Sequence, residues 1–252
     1  MKTLAAILHY NTPECTDALY RQLEPYQRDD YDLIVIDNGS DADRRSQYAT
    51  HVLPTNRRFG GGLNYALERV LDQPDYDSLL FLNSDLLVHG DGFVRTLRAA
   101  METDPKLAIL SPSVIQPGET QCPWRTMANW YRPGVRYVPW SDFQCPLFRR
   151  SFIDLVGQFD ERLSWGWGQD LWSGMLCREH ELRIGVVDIA CVVHLESYTA
   201  NRESPDFRSE AWDEMARYFG DLGLLDEVNA MREAAANYSP DDTPTEEAGV
   251  DA

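Results

Sequence analysis

The chain has 252 residues, 43% of them hydrophobic, with seven Trp, twelve Tyr and nine Phe, enough to build a full buried core. Its 41 acidic against 23 basic residues give a net charge of −18; this argues against a nucleic-acid partner, whose backbone is bound by Lys and Arg neutralising phosphates. No run reaches the roughly 18 to 20 apolar residues of a membrane span, and no basic amphipathic helix stands out, so membrane association is expected to be peripheral at most.

Leu4 to Leu8 reads as a buried strand and not a signal peptide, because it leads into His9-Tyr10-Asn11 and not a small-residue cleavage site. Thr12-Pro13 then opens a helix, a capping hydroxyl followed by Pro at the first helical position, with Cys15, Leu19 and Leu23 toward the sheet. Leu33 to Ile36 is a second buried strand, and Asp37-Asn38-Gly39-Ser40 turns the chain at its end. A short third strand precedes Pro54. Asn56 to Asn64 reads as a glycine turn into a helix, whose Leu63, Ala66, Leu67, Val70 and Leu71 keep helical spacing.

Leu79 to Leu82 is apolar without alternation, the pattern of a strand covered on both faces, and it delivers Asn83-Ser84-Asp85 at its end. In open α/β sheets ligands bind beyond the carboxyl ends of strands, and a carboxylate there is a natural ligand for a hard cation holding phosphate oxygens. The alternative is that the three residues only turn the chain. Asp91 is expected to cap a helix carrying Phe93, Val94, Leu97 and Met101, and Leu107 to Leu110 to form another strand. Residues 112–146 are irregular and hold Trp124, Trp130 and Trp140, which suits a functional segment such as a lid or acceptor groove. Ser151 is expected to cap a short helix that Gly157 ends.

Trp165-Gly166-Trp167-Gly168-Gln169-Asp170 leads into a helix from about Asp170 to Glu179, and the last strand segments end near His194. Residues 205–238 read as helical. About −10 of the net charge lies from Asn201 onward, and residues 239–252 read as a disordered acidic tail. The five Cys, at 15, 122, 145, 177 and 191, have no metal-like spacing; a reduced, cytoplasmic chain is the simpler account.

Taken in order, these segments resemble the family 2 glycosyltransferases, GT-A fold, metal-dependent, inverting enzymes that use nucleotide-activated sugars. The likeness is to bacterial, rhamnosyltransferase-like members and covers roughly residues 3–200. Leu8-His9-Tyr10-Asn11 is similar to the family's first-strand ending and Val35 to Ser40 to its nucleotide-base turn. Asn56 to Asn64 is similar to its asparagine, phenylalanine and double-glycine stretch. Phe81 to Asp85 occupies the place of the DxD metal motif, with Asn83 in place of the first Asp. Val156 to Glu161 and then Trp167 to Asp170 resemble the segment holding the catalytic base, with Gln169-Asp170 in place of Glu-Asp. Val193-His194 fits a late metal- or phosphate-binding histidine.

The resemblance implies an α/β GT-A domain over residues 1–200 with a mostly parallel sheet, a helical extension over 201–238 and the acidic tail. It implies that Asp85, with His194, holds Mn²⁺ or Mg²⁺. The nucleotide-diphospho-sugar donor would meet Tyr10, Asn11, Asp37, Asn38, Asn56, Arg57, Arg58, Phe59, Gly61, Asn64, Asn83 and Ser84. A hydroxyl acceptor, a polysaccharide, glycolipid or small molecule, would meet Trp165, Trp167, Gly168, Gln169 and Trp172, with Asp170 as base. Plainer roles stand beside these: helix capping for Asp170, a core histidine for His194, turn formation for Asp37, exposed charge for Arg57 and Arg58, and core packing for the Trp residues. The rival readings are a catalytically silent GT-A module and a nucleotidyltransferase; residues 1–14 lack the glycine-rich phosphate loop the latter needs.

Overall fold

The apolar strand runs are largely buried: Leu79, Leu80, Phe81 and Leu82 have no exposed surface, nor have Ala5, Ala6 and Ile7 beside them. The computed structural model describes residues 2–27, 31–90, 92–115, 124–195 and 204–242. Its strands are β1 (Thr3–His9), β2 (Tyr31–Asp37), β3 (His51–Val52), β4 (Ser78–Asn83), β5 (Leu86–His89), β6 (Leu107–Ile115), β7 (Val135–Val138), β8 (Leu147–Arg149) and β9 (Arg183–His194). Its helices are α1 (Pro13–Leu23), α2 (Arg58–Leu71), α3 (Phe93–Glu102), α4 (Arg150–Val156), α5 (Gln169–Glu179), α6 (Phe207–Asp221) and α7 (Leu225–Ala236).

One sheet takes the strands in the order β3-β2-β1-β4-β8-β6-β9-β5, with β7 also against β9. The half containing β3, β2, β1 and β4 is parallel. β8 then joins β4 and β6 antiparallel, while β9 runs parallel to β6 and antiparallel to β5 and β7. Helices flank this sheet, as an α/β fold with apolar strands requires. A second core, built from Trp140, Leu163, Leu171, Met215, Phe219, Val228 and Met231, joins α5 to α6 and α7.

Residues 124–138 are tied down by one buried ion pair. Asp188 accepts hydrogen bonds from Arg136 Nη2 at 2.9 Å and from the backbone N–H groups of Trp130 and Arg132 at 3.0 and 2.9 Å. Arg136 donates in turn to the carbonyls of Thr126 and Ala128. The irregular segment is therefore shaped by polar contacts that leave no periodic mark in the sequence.

Several local readings change. Thr12 precedes α1 with Pro13 next, but its hydroxyl donates to Tyr10 O at 3.3 Å and does not cap the helix. α4 starts at Arg150, one residue before Ser151. Gly60, Gly61 and Gly62 lie inside α2 and form no turn, because close packing needs them small. A Cβ on Gly60 would meet Leu163 O at 2.7 Å, and one on Gly62 would overlap Leu8. Asp91 and Cys122 lie outside the described residues, as does most of the tail, while residues 240–242 form a 3-10 turn in which Asp241 pairs with Arg132.

Candidate active site

The carboxyl ends of β1, β2 and β4 open together, which brings Tyr10, Asn38, Asn83, Ser84 and Asp85 onto the wall of one cleft of about 440 Å³. The pairing of β5 with β9 sets Leu86 opposite His194. That register carries His194 Nε2 to 3.3 Å from Asp85 Oδ1, with both side chains largely buried. Asp85 also accepts the Leu195 N–H on its backbone oxygen at 2.9 Å, which holds the two chain ends together.

Backbone pairing continues past β8 along β4: Phe81 N–H donates to Pro146 O and Asn83 N–H to Gln144 O. The same pairing lays Asp142 and Gln144 in the cleft. Asp170 enters from the start of α5, preceded by Gly168 at φ +92°, where a side chain would also strike Phe219 and Met215. Its Oδ1 accepts the N–H of Leu171 at 2.8 Å and of Gly168 at 3.2 Å, so it closes the helix end while facing the cleft. Burial, reinforced by the Asp142 carboxylate nearby, pushes Asp170 up to about 8. Burial raises Asp142 as well, against a hydrogen bond from Gln144 and the influence of His194.

Among the described residues no group of three or more His, Cys, Asp and Glu stands together as a complete metal cage. Asp85 and His194 instead offer one hard oxygen and one imidazole nitrogen at a cleft mouth. That pair suits a divalent cation that takes its other ligands from substrate oxygens and water.

Tyr10, Asn38, Asn56, Arg58, Phe59, Asn83 and Ser84 line this cleft together with Trp165, Trp167 and Gly168. Asn38 Nδ2 donates to Asn56 Oδ1 and Arg58 O, and Asn56 Oδ1 accepts the Arg58 N–H. This clamp holds Arg58 at φ +55°, with its guanidinium 4.2 Å from the Trp165 ring and hydrogen-bonded to Ser164.

Seven residues expected at the site are not on its wall, each for a visible reason. Asn11 accepts the Asp41 N–H, and Asp37, wholly buried, accepts from Ser40 N–H and Arg45. Arg57 reaches Glu161, and Gly61 lies against the Arg57 side chain within α2. Asn64 bridges both backbone groups of Phe159, Gln169 is buried on Leu163 O, and Trp172 packs edge-on against Phe159. Conversely, Asp142, Gln144, Arg208 and Arg232 line the cleft without having been singled out. Asp142 had one signal, a carboxylate just ahead of a buried strand, the mirror of Asp85 after β4; the two Arg lie in acidic helices and carry none.

The family model for glycosyl transferase family 2 matches residues 7–152. The chain belongs to glycosyl transferase family 2. The matched stretch of this family 2 chain runs from β1 into α4, so it contains Asp85 and Asp142, whereas Asp170 and His194 lie beyond it. No curated protein sequence matches the chain.

Among solved structures, Staphylococcus aureus TarS 1-349 is 15% identical with a TM-score of 0.61, over 96% of this chain and 74% of that one. The mannosyltransferase PcManGT of Pyrobaculum calidifontis, in complex with GDP-Man and Mn²⁺, is 15% identical with a TM-score of 0.57, over 94% of this chain and 76% of that one. GalNAc-T7, solved with UDP, GalNAc and Mn²⁺, is 13% identical with a TM-score of 0.59 over 77% of this chain. The family 2 chain spans only 44% of GalNAc-T7. At these identities the likeness establishes the fold, the GT-A transferase fold.

Proposed function

We propose that this family 2 protein is a metal-dependent, inverting glycosyltransferase that moves a sugar from a nucleotide-diphosphate donor to a hydroxyl acceptor. The observation that carries the reading is one cleft with the Asp85 and His194 pair at its strand ends and Asp170, its pKa raised, at a helix start. Asp85 and His194 would hold Mn²⁺ or Mg²⁺, which when bound acts as a Lewis acid toward the leaving diphosphate. The imidazole favours Mn²⁺. Tyr10 offers a face for the base, and Arg58, steadied by Trp165, adds positive charge to the same cleft.

Asp170 takes the proton from the acceptor hydroxyl as that oxygen attacks opposite the leaving group, which inverts the sugar centre. A raised pKa makes the ionised carboxylate a stronger base toward the hydroxyl proton. Trp165 and Trp167 present aromatic faces to the apolar side of a sugar ring. Three carboxylates on one cleft wall support a working enzyme over a silent module. The sequence likeness to rhamnosyltransferases makes a hexosyl or deoxyhexosyl donor the first to try. Cys145, Cys177 and Cys191 are buried free thiols, which agrees with a cytoplasmic setting, and among the described residues no helix is long and apolar enough to cross a membrane.

The test is thermal unfolding with UDP, dTDP, GDP and CDP, each with and without Mn²⁺, followed by NMR of the product anomer from the sugar donor of whichever nucleotide binds. A metal-dependent shift and an inverted product support the reading; a retained anomer overturns inversion.

A further inference from the structure

On the acceptor side of the cleft, α7 places a cation that the donor and base chemistry leaves unused. The Arg232 guanidinium lies 4.4 Å from the Trp212 ring and 5.4 Å from that of Trp124. Trp124 in turn meets Trp140 edge-on at 5.1 Å, and Trp140 Nε1 donates to the carbonyl of Met231, the residue next to Arg232. The arginine is thus held between aromatic walls and braced from behind.

Among the described residues Arg232 makes no hydrogen bond and no salt bridge, although it lines the cleft and is half-buried. It feels the charge of Asp170 without pairing with it. Arg208, exposed at the start of α6, lines the cleft too, lies over the Phe207 ring, and is likewise without a polar partner among the described residues. Arg58 differs: it is committed to Ser164, Glu210 and Glu214. In a chain of net charge −18, carboxylates to quench a stray arginine are plentiful, yet these two face the cleft unpaired.

A guanidinium carries five donors in a rigid fork that fits the two oxygens of a phosphate or carboxylate. Half-buried between aromatic walls, the Arg232 fork meets less competition from water than a surface arginine, so an anion placed in the cleft would be bound more strongly there. We infer that the acceptor carries an oxyanion, a phosphate or a carboxylate, which Arg232 grips with help from Arg208 while Asp170 faces the reacting hydroxyl. The inference rests on the glycosyltransferase reading of the same cleft, and it narrows that reading to anionic acceptors.

The test is calorimetric titration, without nucleotide or metal and at matched ionic strength, of methyl glucoside, glucuronate and glucose-6-phosphate as neutral, carboxylate and phosphate probes. Wild type is compared with Arg232→Gln, Arg208→Gln and Asp85→Ala. An anionic probe is expected to bind wild type more tightly than methyl glucoside, and the tighter of the two anions tells carboxylate from phosphate. Arg232→Gln should weaken that probe about ten- to hundredfold, Arg208→Gln less, and Asp85→Ala not at all. Arg208→Gln, on an exposed side chain, keeps the test sound if Arg232→Gln melts early. Equal binding of all three probes, no binding of either anion, or undiminished binding in both Arg variants overturns the inference. A parallel titration of nucleoside diphosphate with Mn²⁺ in which Arg232→Gln weakens only that ligand overturns it too, and would assign Arg232 to the donor. Failure of every nucleoside diphosphate to bind wild type would instead defeat the transferase reading, and the probe titration separates the two.

Discussion

Asp85 Oδ1 and His194 Nε2 stand 3.3 Å apart because Leu86 pairs with His194 across β5 and β9, two strands far apart in the chain. Neither residue makes a metal site alone. If the pair holds the cation, one nucleoside diphosphate should raise the melting temperature only with metal present. Ligand at about 100 times its dissociation constant contributes roughly 2.7 kcal/mol. Asp85→Ala should abolish the shift, and His194→Ala should shrink it while narrowing any preference for Mn²⁺ over Mg²⁺. An intact metal-dependent shift in Asp85→Ala would remove this carboxylate from the site.

Asp170→Asn keeps the shape of the α5 start and removes the carboxylate proposed as the base. Turnover is expected to fall by about 10² to 10⁴, the usual share of general-base catalysis, with nucleotide affinity unchanged. Parallel loss of nucleotide binding would point to a structural role at the helix end.

The proximity of Asp142 to Asp170 predicts a pH signature. Burial and the Asp142 charge raise Asp170, so activity should rise as pH increases through its ionisation, and Asp142→Asn should move that limb toward lower pH. Stability runs the other way. A carboxyl whose folded pKa is raised holds a proton in the folded state that the unfolded chain has released. In metal-free protein, stability therefore falls as pH rises from the ordinary carboxylate range toward about 8. Melting curves in chelator should show that decline in wild type and a flatter profile in Asp170→Asn. Equal slopes would mean that Asp170 ionises in the native protein as it does unfolded.

Asp188→Ala leaves Arg136 buried without its partner and strips the N–H groups of Trp130 and Arg132 of their acceptor. A cost of about 3–5 kcal/mol is expected in denaturant unfolding. Because the same pair shapes residues 124–138, Trp emission should shift before global unfolding begins; a variant melting like wild type would show that the segment is held by other contacts.

The strands were legible because unbroken apolar runs such as Leu79 to Leu82 leave little else to form, and Asp85 at the end of one was the strongest local sign of a site. Gly60 to Gly62 misled, since glycine signals both a turn and a close approach, and only the neighbours Leu163 and Leu8 decide between them. Asp37 and Asn64 read as ligands in sequence, which does not show the partners they have in the fold, Ser40 and Arg45 for one and Phe159 for the other. Arg232 was illegible because its meaning depends on Trp124 and Trp212, which reach it only through tertiary packing.

The sheet and the cleft share a dependence on late residues. β9 pairs with β5, β6 and β7 at once, and the cleft wall runs from Leu8 to Arg232. Such long-range closure slows folding, because distant segments must meet before their contacts count. During synthesis the parallel half of the sheet can form early, but the edges of β5 and β6 await β9. A nascent chain therefore presents sticky unpaired strands and an incomplete cleft until β9, α6 and α7 have emerged.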